Sequence, residues 1–281
     1  MKQNIAIVGA GVSGLTAALH LEFLGYEATI YEASTSVGGR VKSDELEGYI
    51  LDHGFQVLLS QYPIAQKYLD YNALDLIPFD SGSYIFKDGK QHIIGDPLRD
   101  ISFLTSTLFA SIGNVSDKLK IFKLSKRVKN KSIEAIFASA EITTLQYLKD
   151  FGFSEDILNH FFIPFFGGIF LEQKLATSSR MFEFIFKMFS EGTAVIPKNG
   201  MQAIPNQLKS QLKNTQIQFS KKISQIQGNT LIFSDDNKQE VDFCIVATEA
   251  SDLISNMSSN DMDWKGTQTL YFEADEIPLK K

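Results

Sequence analysis

Apolar positions change period twice within the first thirty residues. Asn4–Val8 is a short run rich in β-branched residues and closed by Gly9, the pattern of a strand buried on both faces. Leu15, Ala18, Leu19, Leu21 and Leu24 then recur at helical spacing up to Gly25, a natural helix stop. Ala28–Tyr31 is a second apolar run. The opening is therefore a βαβ unit, whose crossover should be right-handed.

Further along, helical periods dominate. Segments 98–110, 116–129, 132–139, 142–150, 154–161 and 178–190 are predicted to be helices, and fifteen of the chain's 23 phenylalanines lie between residues 91 and 190. After Pro197 the strand signals return. Ala203–Leu212 reads as a helix and Ile217–Phe219 as a short strand, while Ile223–Gln227 and Thr230–Phe233 form a hairpin across Gly228-Asn229. Val241–Thr248 is apolar enough to be a buried strand. The economical fold is α/β: one domain made of 1–90 and 195–250, interrupted by a helical domain over 91–194, with 251–281 starting a return into that second domain.

Composition narrows the possibilities. A chain of 281 residues with 44% hydrophobic and 21% charged residues can bury a core large enough for two domains. Its net charge of -6 argues against a nucleic-acid partner, because no basic excess exists to neutralise phosphates. One cysteine, Cys244, excludes an internal disulfide and a cysteine-rich metal site, and His20, His53, His92 and His160 show no ligand spacing. Glycines interrupt the N-terminus before a signal-peptide core forms, and no apolar run approaches the roughly 18 residues of a membrane span. The expectation is a cytoplasmic protein.

Candidate chemistry begins at Gly9-Ala10-Gly11-Val12-Ser13-Gly14, a G-x-G-x-x-G between the predicted strand and helix. The first glycine permits the tight turn, the second admits a pyrophosphate close to the backbone, and the third lets helix and strand pack closely. Amide groups at the helix N-terminus would face the anion. Glu32 closes the second strand 18 residues after Gly14, with Ala33 behind it, and offers a carboxylate to ribose hydroxyls while disfavouring a 2′-phosphate. The alternative is a glycine-rich turn of an unrelated α/β fold. Val37-Gly38-Gly39-Arg40-Val41 follows almost at once, giving close backbone access and a planar guanidinium for phosphate or a flavin-side acceptor. An NAD-dependent dehydrogenase would normally lack that loop.

These residues carry a resemblance. GAGVSGL, Glu32, VGGRV and the following LDHGFQVL are similar to the flavin-containing amine oxidase superfamily, which includes monoamine oxidases, protoporphyrinogen oxidases and phytoene desaturases. The resemblance extends to Val195–Met201, near the family's Pro-x-Gly-Gly-Met turn but with Asn199 for one glycine, and to Phe243–Thr248. It implies a Rossmann-like FAD/NAD(P)-binding domain carrying a mainly helical inserted substrate domain, with FAD as cofactor. Carried over, Gly9, Gly11 and Gly14 hold the pyrophosphate, Glu32 the adenosine ribose, and Gly38, Gly39 and Arg40 run beside pyrophosphate and flavin. Gly54, Phe55 and Gln56 pass the isoalloxazine ring, and the Ile223 backbone meets adenine.

The implied reaction is hydride removal from a C–N or C–C bond of a small molecule, with reoxidation by oxygen, a quinone or another acceptor. The cofactor carries the chemistry, which suits a sequence without an obvious nucleophile or acid–base pair. No catalytic residue is assigned; His53 reads as a hairpin-turn residue, since a lone histidine lacks an orienting partner. Phe161–Phe170 is expected to be core, with a hydrophobic substrate cavity as the second reading. Arg180 is a solvated arginine or a partner for a substrate carboxylate. Seven basic residues lie in Lys118–Lys131, the outer face of a soluble helix or a contact for an anionic membrane. Relatives continue for over a hundred residues to a Gly-Asp segment and a final helix aimed at the flavin, so the chain is expected to be C-terminally truncated or divergent. It should then hold FAD weakly and turn over slowly. A non-catalytic nucleotide-binding fragment or partner-dependent subunit is the alternative.

Overall fold

A computed structural model describes residues 3–54, 56–80, 82–95, 111–251, 253–254 and 265–274. Phe55 and the helix expected over 98–110 lie outside the described residues.

The opening unit is as expected: β1 (Ile5–Val8), α1 (Val12–Phe23) and β2 (Ala28–Tyr31). All four residues of β1 are buried, which is why it reads as an unbroken apolar run. Two hairpin strands follow, β3 (Ser43–Leu46) and β4 (Tyr49–Asp52), then β5 (Leu58–Leu59), α2 (Pro63–Tyr68) and β6 (Leu76–Pro78). Strands β7 (Gly82–Lys87) and β8 (Lys90–Gly95) pair across an Asp88-Gly89 turn, straddling the position where the helical block was expected to begin.

The helical block consists of α3 (Val115–Lys129), α4 (Ile133–Phe137), α5 (Thr144–Asp150), α6 (Glu155–Ile157), α7 (Ile163–Phe170) and α8 (Ser179–Glu191). Most begin on a polar cap: Asn114, Ser132, Thr143 and Ser154 each accept from an amide in the first turn. The helix expected over 154–161 continues instead to Phe170, because a π turn at Leu158–Phe162 joins α6 to α7 without a break. Pro164 is tolerated there as an early residue of α7.

After α8 come β9 (Ala194–Pro197), α9 (Ala203–Gln211), β10 (Gln216–Gln218), β11 (Ile223–Gln227), β12 (Thr230–Phe233), β13 (Lys238–Glu240) and β14 (Phe243–Val246). The main sheet has the order β10-β2-β1-β14, and its pairings are parallel. Strands from both ends of the chain thus share one sheet. The predicted hairpin across Gly228-Asn229 is present, pairing Gln227 with Thr230, and Gly228 takes a φ of 57°. One expectation fails. Strand β14 is not buried: it lies at the sheet edge among the described residues, with Phe243 56% exposed.

Three apolar clusters hold these parts. One packs α1 and α9 around Ile7, Leu15, Ile30 and Leu208. A second lies between β1, β2 and the β11–β12 hairpin, around Val8, Tyr31, Ile223 and Leu231. The third is the helical block, built on Leu124, Leu148, Phe162, Phe166 and Phe182.

Candidate functional site

The β1–α1 turn is shaped by backbone contacts that only glycine allows at two points. Gly9 has a φ of 100°, a conformation costly for other residues. A side chain on Gly14 would run into the Gly9 carbonyl oxygen. Gly11 differs from both. Its φ is -70°, and a Cβ there would meet no protein atom nearer than the Gly38 carbonyl oxygen at 3.9 Å. Nothing in the chain itself requires glycine at that position. The open backbone there leaves room for a dinucleotide, so the residues present fit the expected group.

Gly11 caps α1 without a side chain, and no acidic residue stands in the first turn. The amides of Val12, Ser13 and Gly14 therefore begin the helix without intrahelical partners. The helix dipole adds about 0.3–1 kcal/mol for an anion there, so direct amide bonds carry most of the grip.

Glu32, 9% exposed, is tied to this turn. Its carboxylate accepts from the Ala10 amide at 2.7 Å and from the Ser34 amide at 2.8 Å. Each oxygen keeps a further lone-pair direction, which a ribose hydroxyl can use. Ala33, next along, is exposed. The loop after β10 secures the same strand end, through Glu32 N–H to Gln218 O at 2.9 Å and Lys221 N–H to Glu32 O at 2.8 Å. That loop leads directly into Ile223, which is buried at the start of β11.

The double-glycine loop lies against the turn. Gly38 N–H donates to Ala10 O at 3.0 Å, and Gly11 and Gly38 form an isolated parallel bridge. The left-handed backbone of Gly38 (φ 124°) leaves no room for a side chain beside the Val41 carbonyl. Gln56 Nε2 donates to Arg40 O at 3.0 Å and to His53 O at 3.1 Å, which draws the Gly54–Gln56 stretch to Arg40. Phe55, expected beside it, lies outside the described residues. The described residues of these loops therefore gather beyond the carboxyl ends of β1 and β2, the central strands of the parallel sheet.

Several residues outside the candidate site list position its loops, some of them within the Val195–Met201 and Phe243–Thr248 stretches that carry the resemblance. Ala247 and Thr248, just past β14, pack on Gly9. Gln202 Nε2 donates to Val37 O at 2.9 Å and anchors the double-glycine loop to the start of α9. Asp52 Oδ1 accepts from Met201 N–H at 2.8 Å and from Ser43 Oγ at 2.5 Å, and Ser43 Oγ accepts from Gln202 N–H at 3.0 Å. Gly200, with a φ of 76°, has no space for a side chain beside Ile50 and Ser43. Asn199 replaces the other family glycine without conflict, since its φ is not left-handed.

Two expectations about polar residues change. His53 has the orienting partner it was expected to lack: its Nε2 lies 2.6 Å from Asp44 Oδ2, and this hydrogen bond holds the Asp44 carboxyl below its usual range. A histidine–carboxylate pair of this kind is invisible in sequence unless the strand register is known, and here the pairing of β3 with β4 sets it. Arg180 is engaged within the chain rather than free in solvent. Its Nε donates to Ser139 O at 2.7 Å and a terminal nitrogen lies 3.4 Å from Glu141.

The phenylalanine run divides by face. Phe162 and Phe166 are 0% and 1% exposed in the helical core, with the Phe166 and Phe182 ring centres 4.7 Å apart. The opposite face of α7 borders a cleft of about 420 Å³, lined by Ile163, Pro164, Gly167, Gly168, Leu171 and Glu172 with Gly266 across it. Leu171 closes the helix in a left-handed conformation (φ 53°), an uncommon state for a branched side chain. Residues 265–274 bridge the two halves: Lys265 Nζ lies 3.5 Å from Glu172, and Tyr271 Oη donates to Asp52 O at 2.6 Å.

Known proteins are similar to this chain in sequence and in fold. The chain is 28% identical over 172 residues to protoporphyrinogen oxidase 2, chloroplastic/mitochondrial, of Arabidopsis thaliana, a match covering 59% of this chain and 32% of that protein. A fatty acid isomerase from P. acnes that produces CLA superposes with a TM-score of 0.68 at 19% identity, covering 92% of this chain and 62% of that one. A putrescine oxidase triple mutant superposes with a TM-score of 0.62 at 19% identity, covering 88% and 58%. At such identities the structural likeness shows the fold alone. The chain spans about a third of the length of the Arabidopsis relative and about three-fifths of the solved chains. No helix among the described residues is long and apolar enough to cross a membrane. The family profile described as "Flavin containing amine oxidoreductase" matches residues 12–262, and its flavin is the cofactor that the loop-and-acid geometry suits. With nearly all of its length inside that match, the chain belongs to the flavin-containing amine oxidoreductase family.

Proposed function

We propose that this chain is the FAD-binding part of an oxidoreductase that takes hydride from a C–N or C–C bond of an apolar small molecule. The open space over Gly11, which no protein atom fills within 3.9 Å of a Cβ position, is the observation that carries the reading. Gly9, Ala10, Gly11, Val12, Ser13 and Gly14 would hold the pyrophosphate on amides. Glu32, with Ala33 beyond it, would take the ribose hydroxyls, and Ile223 the adenine by its backbone. Gly38, Gly39 and Arg40 would follow the pyrophosphate toward the ring, and Gly54, Phe55 and Gln56 would flank the ring itself. Residues 1–90 and 195–250 form the nucleotide-binding domain in this reading, with a Rossmann-like sheet, and 91–194 the inserted substrate domain.

Bound FAD supplies the two-electron acceptor, and the chain's own residues bind and orient. Glu32 accepts from the ribose while its bonds to Ala10 and Ser34 hold the loop in shape. The cleft beside α7 offers Ile163, Pro164 and Leu171 as apolar walls, which supports an apolar substrate. Its one carboxylate, Glu172, already accepts the Ala176 and Thr177 amides at 3.1 and 2.8 Å.

The test is reconstitution of the purified chain with FAD. Flavin uptake at saturating FAD with its visible absorption, bleached slowly and anaerobically by a porphyrinogen, polyene or amine, is the expected result. A chain that neither retains FAD nor gains thermal stability from it would sink the proposal. The exposed Phe243 on edge strand β14 favours a second reading, a nucleotide-binding subunit that needs a partner chain. In that case flavin binds and no candidate substrate bleaches it.

A further inference from the structure

Helix α3 presents two chemically opposite faces. Inward, Asp117, Leu124 and Val128 are 0% exposed. Outward, Val115, Leu119 and Phe122 are 64%, 67% and 51% exposed, and their spacing of four and three residues puts them on one stripe. At helical pitch Lys126 and Lys129 fall within the same arc and Lys123 beside it, and all three are exposed. A chain of net charge -6 has thus gathered lysines around an uncovered apolar stripe. The helix holds a single acidic residue, Asp117, which is turned inward and bonded to Ser154 and Asn114.

We propose that this face of α3 docks peripherally on an anionic lipid surface. The combination favours lipid over an acidic protein. Lysine stems reach phosphate headgroups while leucine and phenylalanine enter the acyl boundary, and no matching pocket is needed. The face is rigid before docking. Asn114 and Asp117 form a reciprocal cap at one end, and Lys187 Nζ donates to Val128 O and Lys129 O at 3.3 and 2.8 Å at the other. The remaining basic groups at that end are engaged elsewhere: Arg127 stacks over Tyr147 and Phe151, and Lys131 Nζ lies 2.5 Å from Glu183.

Flotation of the purified chain with vesicles tests this, using an equal mixture of phosphatidylcholine and phosphatidylserine against phosphatidylcholine alone. Binding to the mixed vesicles, weakened by salt, is expected. Lys123→Glu/Lys126→Glu/Lys129→Glu should lower the partition coefficient about a hundredfold or more. Leu119→Ser/Phe122→Ser should lower it about tenfold while leaving the salt dependence. Lys238→Glu, on the exposed β13, should change nothing. Circular dichroism checks that each variant is folded, which these exposed positions should permit. Absence of vesicle binding by the unaltered chain, or equal binding by all variants, overturns the proposal. Retention on immobilised polyglutamate without vesicle binding also overturns it, in favour of an acidic protein partner.

Discussion

The Ala10 amide donates to the Glu32 carboxylate across 2.7 Å, so the glycine-rich turn and the acid at the end of β2 are one piece before any ligand arrives. Glu32→Ala removes more than a ligand contact. It leaves the Ala10 and Ser34 amides without their acceptor, so FAD affinity should fall about ten- to a hundredfold and the apo chain should lose about 1–3 kcal/mol. Glu32→Gln, which keeps an acceptor and loses the charge, should recover most of the stability but only part of the affinity. Flavin-fluorescence titration and thermal unfolding read the two effects separately. Equal affinity in all three proteins would remove Glu32 from the ribose role.

Gly11 and Gly14 should respond oppositely to alanine. Gly14→Ala drives a methyl group into the Gly9 carbonyl, so the apo chain should be destabilised by about 1–3 kcal/mol or more. Gly11→Ala meets open space, and the apo chain should stay within about 1 kcal/mol of the parent. Its FAD binding should nevertheless be largely lost. Apo melting curves beside flavin titrations check this, and normal FAD binding by Gly11→Ala would refute the placement of the pyrophosphate.

Asp117 makes the helical block sensitive to acid. Burial raises its pKa, but the Ser154 hydroxyl and the Asn114 and Ser154 amides, with Lys120 nearby, outweigh this and hold it below 3.8. A carboxyl depressed in the folded state stabilises it fully above the unfolded value, and that contribution fades as pH falls through the folded one. Asp117→Asn should lower stability at neutral pH by about 2–4 kcal/mol and flatten the acid limb of a plot of melting temperature against pH. An unchanged acid limb would show that other carboxyls set it.

Phe166 separates core from cleft. Its ring meets those of Phe162, Phe165, Phe170, Phe182 and Phe186, so Phe166→Ala should cost about 3–5 kcal/mol. Ile169 on the same helix is 39% exposed, and Ile169→Ala should cost under about 1 kcal/mol. Chemical denaturation compares them, and a small loss at Phe166 would mean that its packing is loose.

The loop at Gly9–Gly14, Glu32 and the Gly228 hairpin were legible because each depends on local backbone demands that a few adjacent residues state openly. Strand β14 was misjudged because burial depends on what lies beside a strand, and the apolar run Phe243–Val246 carries no mark of an edge position. The Asp44 partner of His53 was missed for a related reason: it exists only through the register that pairs Ser43 with Asp52. The Asp88-Gly89 turn was a readable hairpin signal that the helical reading of the following segment obscured. Asp52 meets Met201 across 149 residues, and Gln202 meets Ser43 and Val37 across 159 and 165, so only folding brings them together.

The π turn at Leu158–Phe162 offers a route for change that substitutions do not. Its extra residue offsets the helix beyond it, and deleting one position would rotate that downstream stretch by about 100°. The stripe now holding Phe166 in the core would turn a little over a quarter of the way round in a single event, and another stripe would take its place. A lineage could thereby recast the lining of its cavity through a change of length, leaving the composition of the segment almost untouched.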